Sequence, residues 1–362
     1  MNQIVKFGIN SLDNLEDFLK EKKPKSIFLV TGKKSYLKCG AKIKLEPVLK
    51  NYNYTRFFDF EENPKLEDVE KGITLFNEHN CDLTIAIGGG STIDIAKLIN
   101  SLSKVPKDLE ERIKANCLEQ KPFPFVAIPT TAGTGSEATH FAVMYINGEK
   151  YSFAHKYILP EYVIIDSQFT YSTHAYLTAC TGADAFCQAI ESMWATGGNT
   201  ESKEYAGKAI GLVWNNLVEA VVNNDYAAKD AVMEGAYWAG KAINISKTTA
   251  SHALSYKMTS LFNVPHGHAV ALTLVPVMKV NYDYAKEDIK RILSLISAKN
   301  LSDGVLKIEK LWSQIGLCMK LSQLGIEENQ ISKLSNCNLE RLKNNPALLS
   351  KEFIEKLFKS LI

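Results

Sequence analysis

The stretch LTIAIGGGSTIDIAK, residues 83–97, constrains the fold of this chain more than any other. An apolar run ends at once in three glycines, and apolar residues at helical spacing follow from Ile93. A strand that apolar throughout is buried on both faces, and turning directly into a helix places it inside a parallel βαβ layer. Neighbouring segments repeat the signal. Residues 26–31 (SIFLVT), 54–60 (YTRFFDF), 125–128 (FVAI) and 162–166 (YVIID) read as strands, and residues 65–80 and 93–102 as helices.

This alternation stops near Asp166. From about Tyr176 the pattern is helical almost throughout, with long segments at 200–222, 230–245 and 305–314. The expected fold is α/β plus all-α: a parallel-sheet domain over 1–170 and a helical domain over 171–362. At about 150 residues per domain, 362 residues suffice for two cores. No low-complexity linker separates them, so a ligand-sized cleft between the two is expected.

Composition narrows the function classes. Lys plus Arg number 42 against 40 Asp plus Glu, a net charge of +2, so no global charge favours nucleic acid or an anionic membrane. No run of about 18 apolar residues is present, which argues against a membrane span. The opening MNQIVKFGIN is not a basic-then-apolar leader. Seven cysteines, scattered and without a C-x-x-C pair, read as reduced thiols of a cytoplasmic protein.

Two glycine loops carry the first chemical signal. Gly88, Gly89, Gly90 and Ser91 lie between a strand and a helix start, with Asp94 one turn further on. Glycine lets backbone N–H groups approach a pyrophosphate, and the helix start offers unpaired donors and a positive dipole end. A tight strand-to-helix turn uses the same residues, and the spacing is not G-x-G-x-x-G. The second loop, Pro129-Thr130-Thr131-Ala-Gly-Thr134-Gly-Ser136, also follows a strand and interleaves hydroxyls with glycines. Alone it reads equally as a capped turn; two such loops on neighbouring strand ends favour a dinucleotide. At the end of the strand 26–31, Gly32 and Lys33 stand where an NAD site usually places a carboxylate for the ribose 2′-hydroxyl. That leans toward NADP(H), although Lys33-Lys34 also suits a solvated loop.

The second signal is a set of metal-ligand types. Asp184 and Gln188 are four apart in a helical stretch and share a face; His252 and His266 lie in the following segments. Two imidazoles and a carboxylate suit Fe²⁺ or Zn²⁺, and an amide oxygen can complete the shell. Each histidine taken singly also fits a packed, hydrogen-bonded core residue.

Taken together, GGGSTIDIAK, PTTAGTGSEAT, TGADAF-Q-AIE, SHALSY and PHGHAVALTL resemble the iron-containing (group III) alcohol dehydrogenases, over most of the chain. Even the tail NPALLSKEFIEKL is similar to that family's last loop and helix. The resemblance implies a dehydroquinate synthase-like architecture, with an N-terminal dinucleotide domain and a divalent metal held by the C-terminal helical domain. It also implies a homodimer, with the strand-like residues 4–9 as a candidate pairing edge. The family's metal ligands are one Asp and three His; they fall on Asp184, Gln188, His252 and His266. Position 188 departs from the family, and so does Tyr256, where a further His is frequent. Asp184, His252 and His266 would be the catalytic residues.

The implied reaction is hydride exchange between NAD(P)H and a small aldehyde, giving a primary alcohol. His140, Lys156 (beside His155) and Lys247 suggest a pocket for an anionic group, and Tyr256 and His268 are further candidates for contact with substrate or proton. THFAVMYI, YSFAHKYILPEY and KAINISKTTASHALSY resemble the phosphonoacetaldehyde reductase branch, which implies phosphonoacetaldehyde and 2-hydroxyethylphosphonate as the pair. The competing expectations are a broad short-chain alcohol dehydrogenase, a glycerol- or polyol-phosphate dehydrogenase, a dehydroquinate synthase-like lyase, and a nucleotide-binding protein without turnover.

Overall fold

The computed structural model describes residues 3–104, 107–337 and 339–362. The chain divides into two compact units. The first ends at Thr131 and resumes over Ser136–Thr173; the second comprises Ala132–Gly135 and His174–Ile362.

Among the described residues, the first unit is built on eight strands: β1 (Ile4–Phe7), β2 (Ile27–Thr31), β3 (Tyr54–Phe57), β4 (Leu83–Gly88), β5 (Phe125–Pro129), β6 (Phe141–Ile146), β7 (Glu149–Ala154) and β8 (Tyr162–Ile165). Six of them form a parallel sheet in the order β1-β8-β5-β4-β2-β3. The central strands β2, β4 and β5 are buried at every position, which is why they read as continuous apolar runs. One face packs Phe28, Val30, Ala86 and Ala127 with the helices α4 (Leu66–Glu78) and α5 (Gly90–Leu102). The other packs Ile27, Leu29, Ile85 and Val126 with α1 (Leu15–Lys22) and α3 (Ala41–Leu49). Short helices α2 (Ser35–Lys38) and α6 (Leu109–Lys114) complete the connections.

The first strand pairs in parallel with β8, Ile4 opposite Tyr162, and lies at the edge of the sheet. Two details differ from the expectations. The strand expected over 54–60 ends at Phe57. And β6 and β7, not anticipated as strands, form an antiparallel hairpin in register Phe141↔Ala154 to Ile146↔Glu149.

The second unit is helical. Its scaffold is α7 (Ala175–Trp194), α8 (Thr200–Val222) and α9 (Tyr226–Ser246), mutually packed, followed by α10 (Ala250–Phe262) and α11 (His266–Asn281). Helices α12 (Lys286–Leu295), α13 (Leu301–Gln314), α14 (Ile331–Ser335) and α15 (Lys351–Ser360) follow. Every residue of α7 from Gly182 to Trp194 is buried, including Asp184, Gln188 and Glu191. Buried polar groups need partners, and those three organise the site. No helix among the described residues is long and apolar enough to cross a membrane.

Candidate functional site

The two glycine loops spring from adjacent strand ends of the first unit. Gly88, the last residue of β4, lies opposite Pro129, the last of β5, and the Thr130 amide donates to the Gly88 carbonyl at 2.9 Å. Gly89 begins α5 without any side-chain cap, so the first-turn N–H groups of Gly90 and Ser91 keep no helical acceptor. A Cβ on Gly89 would fall 3.3 Å from Thr131 Oγ1, a tight contact that would narrow the space between the loops. Uncapped amides beside a hydroxyl and a glycine gap fit a pyrophosphate.

Asp94, expected among the cofactor-binding residues, directs its carboxylate to the second loop and to β6. Its carboxylate accepts from Ser136 Oγ and, at 2.9 Å, from the Val143 amide of β6. Burial pushes its carboxyl above the usual range, while Lys97 and these donors oppose the shift. Asp94 therefore fixes the second loop from beneath, and Ser136, itself buried, is the residue it fixes. The Ser91 hydroxyl likewise turns away, donating to the Glu62 carbonyl.

Lys97 was not singled out from sequence. It is 1% exposed, and its Nζ lies 2.6 Å from Ser136 O, 2.8 Å from Thr139 O and 2.8 Å from Phe141 O. Burial lowers its pKa to about 8 against the pull of Asp94 and Glu137. Neighbouring Glu137 is raised to about 7, chiefly by burial.

In the second unit, Ala132–Gly135 pack on the helices. Gly135 has φ +61°, and a Cβ there would lie 2.4 Å from Gly240 Cα of α9; left-handed backbone and close approach both demand glycine. Thr134 O accepts from Gln188 Nε2 at 3.4 Å.

Asp184, Gln188 and Glu191 occupy successive turns of one face of α7. Asp184, His252 and His266 present ligand atoms all within 4.8 Å of one another. Asp184 Oδ1 lies 3.2 Å from His252 Nε2 and 3.8 Å from His266 Nε2. Gly267 permits this: a Cβ there would come 1.9 Å from the Cys180 carbonyl oxygen, so glycine lets the start of α11 lie directly on α7. Asp184 and His252 are buried and His266 is partly exposed.

Glu191, also missed from sequence, holds the cluster. One carboxylate oxygen accepts from Thr249 Oγ1 (2.7 Å) and the amides of Thr249 (3.2 Å), Ser251 (2.8 Å) and His252 (3.3 Å), closing the start of α10. The other bonds His252 Nδ1. This fixes the ring so that Nε2 faces Asp184. Burial disfavours the imidazolium, yet Glu191 and Asp184 outweigh it and raise His252 to about 9.

Three ligand atoms converge at coordination range, and Gln188 Oε1, one turn from Asp184, is buried with no hydrogen-bond partner. An unsatisfied buried carbonyl costs about 1–3 kcal/mol, which a cation would offset. The residues fit a divalent metal.

Of the remaining candidates, Tyr256 stacks on His266, ring centroids 6.3 Å apart and 14° from parallel. His268 sits in α11, buried, with Nδ1 3.0 Å from Tyr176 Oη and Nε2 2.6 Å from Cys318 O. Both nitrogens are engaged, and burial lowers its pKa. His140 and Lys156 belong to the first unit; the His155 amide bonds His140 O at 3.0 Å, and Lys156 Nζ lies 5.2 Å over the Tyr157 ring. Lys247 is exposed at the end of α9, at φ +60°, ψ 176°. Gly32 and exposed Lys33 follow β2 directly.

A family model described as "Iron-containing alcohol dehydrogenase" matches residues 2–167, and the model of that family's C-terminal part matches residues 178–362. The probable alcohol dehydrogenase EutG of Escherichia coli is 30% identical over 302 residues, 82% of this chain and 76% of that protein. The NADPH-dependent butanol dehydrogenase of Clostridium saccharobutylicum is 29% identical over 372 residues, covering 97% and 94%. The crystal structure of sulfoacetaldehyde reductase from Bifidobacterium kashiwanohense in complex with NAD⁺ superposes with a TM-score of 0.93 at 28% identity, covering 99% and 96%. Such relatives, together with the sheet and the Asp–His cluster, define an oxidoreductase of the alcohol dehydrogenase class. The chain belongs to the iron-containing alcohol dehydrogenase family.

Proposed function

We propose that this protein reduces a small aldehyde carrying an anionic head, phosphonoacetaldehyde foremost, to the primary alcohol 2-hydroxyethylphosphonate. The single observation that carries the reductase reading is the convergence of Asp184, His252 and His266 beside the unpartnered Gln188 carbonyl. The anionic head is supported by the likeness to a sulfoacetaldehyde reductase, whose named substrate pairs a two-carbon aldehyde with an acidic group.

In this reading the first unit, residues 1–170 in outline, binds the dinucleotide, and residues 171–362 carry the chemistry. Gly88, Gly89, Gly90, Thr130 and Thr131 offer amides and hydroxyls to the pyrophosphate. Asp184, His252, His266 and Gln188 would hold Fe²⁺ or Zn²⁺, which when bound supplies a Lewis acid to polarise a carbonyl oxygen. Bound NAD(P)H supplies the hydride. Glu191 keeps His252 in one tautomer, Gln188 links the ligand helix to Thr134, and Tyr256 flanks His266. Exposed Lys247, in the same unit, is the candidate for the anionic head; His140 and Lys156 are candidates from the first unit. The seven cysteines are all free, consistent with a cytoplasmic protein. A homodimer is proposed through the open edge of β1.

The test follows NADPH and NADH absorbance with phosphonoacetaldehyde, acetaldehyde and butyraldehyde, using protein reloaded with Fe²⁺ or Zn²⁺. An advantage in kcat/KM of about a hundredfold for the phosphonate, roughly 3 kcal/mol in the transition state, supports the anionic pocket. Equal rates support the second reading, a short-chain alcohol dehydrogenase, which the likeness to a butanol dehydrogenase favours. No turnover with either metal overturns both.

A further inference from the structure

The end of β2 carries a cation that the reading above does not use. Arg56, on β3 opposite Leu29 of β2, extends along the edge of the sheet. Its Nε donates to Thr31 Oγ1 at 2.8 Å and its Nη2 to the Gly32 carbonyl at 3.3 Å. Its Cζ lies 4.6 Å from the centroid of Tyr36 and 4.5 Å from that of Phe58. Two of the five guanidinium N–H groups are thus engaged, leaving three. Among the described residues no carboxylate pairs with it, although Asp59 is three positions away in sequence.

A strut between β2 and β3 would not need a charge. A neutral amide could reach the Thr31 hydroxyl, and the charge here brings a cost. Lys33 and Lys34 directly follow the carbonyl that Arg56 holds, so one strand end gathers three cations. Residues 31–36 (TGKKSY) contain no acid to balance them. Like charges held together without counterions are unfavourable, and a fixed guanidinium with spare donors is the geometry that recognises a phosphate monoester. Stacking against two rings prepays the ordering of the side chain. Nothing at Gly32 would repel a dianion, since the position that could carry a ribose-binding carboxylate has no side chain.

We propose that Arg56 is a specificity-determining residue that binds the 2′-phosphate of an NADP-type dinucleotide, with Lys33 and Lys34 adding field strength. This rests on the dinucleotide reading of the first unit.

Calorimetric titration of the metal-loaded protein with NADP⁺, NAD⁺, adenosine 2′,5′-bisphosphate and 5′-AMP tests it without turnover. The unaltered protein should bind NADP⁺ at least about thirtyfold more tightly than NAD⁺, and the bisphosphate more tightly than 5′-AMP. Arg56→Gln should weaken NADP⁺ by about thirtyfold and NAD⁺ by less than about threefold, while Arg56→Lys retains part of the preference. Because Arg56 also braces β2, the exposed double variant Lys33→Gln/Lys34→Gln gives an independent reading; it should weaken NADP⁺ by about threefold to tenfold and leave NAD⁺ unchanged. Equal losses for both dinucleotides in Arg56→Gln would make the residue a strut and overturn the proposal. So would equal affinity of the unaltered protein for NADP⁺ and NAD⁺, with dinucleotide binding itself intact. Failure to bind either dinucleotide would instead remove the dinucleotide reading, and this proposal with it.

Discussion

Glu191 and His252 are joined twice: one carboxylate oxygen takes the His252 backbone amide at 3.3 Å, and the other bonds its ring Nδ1. The same carboxylate therefore closes a helix start and aims the ring that this helix carries. Replacing it disturbs both at once. Glu191→Gln should lower metal affinity by about tenfold to a hundredfold, the usual effect of losing the group that orients a ligand imidazole. A competition titration against a chelating dye would read this directly, and the thermal midpoint should fall as well. Unchanged metal affinity would show that the pair serves folding alone.

Gln188 offers a cleaner separation. Its Nε2 reaches Thr134 O, while its buried Oε1 has no protein partner. Gln188→His restores an imidazole and should tighten Zn²⁺ by about tenfold, whereas Gln188→Ala should weaken it by a similar factor. If neither changes metal retention on dialysis, the amide lies outside the coordination shell.

Lys97 and Glu137 give the first unit a distinctive pH profile. Glu137 is raised to about 7 from 4.5, so the folded chain holds more protons than the unfolded one between those values and stability falls as pH rises through them. Lys97 is lowered to about 8 from 10.5, so the unfolded chain holds more protons in that window and stability rises again. The two contributions together are least favourable between about pH 7 and 8. Glu137→Gln should flatten the acid-side decline in melting temperature and leave the alkaline rise. A melting curve whose acid-side slope survives the substitution would assign it elsewhere.

Lys247 sits at φ +60°, ψ 176°, a region that glycine occupies and lysine rarely does. Asn344 holds the flanking carbonyls, Ser246 O at 2.8 Å and Thr248 O at 2.9 Å. Lys247→Gly should raise stability by about 1 kcal/mol, roughly 2 °C in Tm, while cutting kcat/KM for phosphonoacetaldehyde but not for acetaldehyde. Loss of stability would mean that the lysine side chain, and not its backbone, holds the turn.

The legible part of this molecule was the part written in local pattern. The apolar runs at 26–31, 83–87 and 125–128 read as strands of a doubly covered sheet, and Asp184, His252 and His266 were visible as ligand types in recurrent strings. Glu191 was not visible as a partner, because a lone Glu in a helix acquires its meaning only when Thr249 and His252 arrive from another helix. Arg56 was hidden for the same reason: its partners belong to β2. The hairpin β6–β7 was missed since its strands interleave buried with half-buried residues, a weaker signal than a buried run. Helices α9 and α13 each begin four residues ahead of the expected 230 and 305, and the sequence carries the cue. Asp225 accepts the Ala228 amide at 2.7 Å and Asn300 that of Asp303 at 3.0 Å, both caps readable from residue type.

The pairing of β1 with β8 sets an order on the birth of the molecule. Ile4 finds its partner in Tyr162 and Phe7 in Ile165, so β1, made before every other strand of its sheet, waits for the last of them. At about 5–20 residues per second that interval is roughly 8–30 s. During it the N-terminal segment, with Ile4, Phe7 and Ile9 still about half exposed even in the finished fold, travels without its strand partner. Of the strands in this sheet, β1 is thus the one longest open to mispairing and to chaperone capture, until the eighth strand is made.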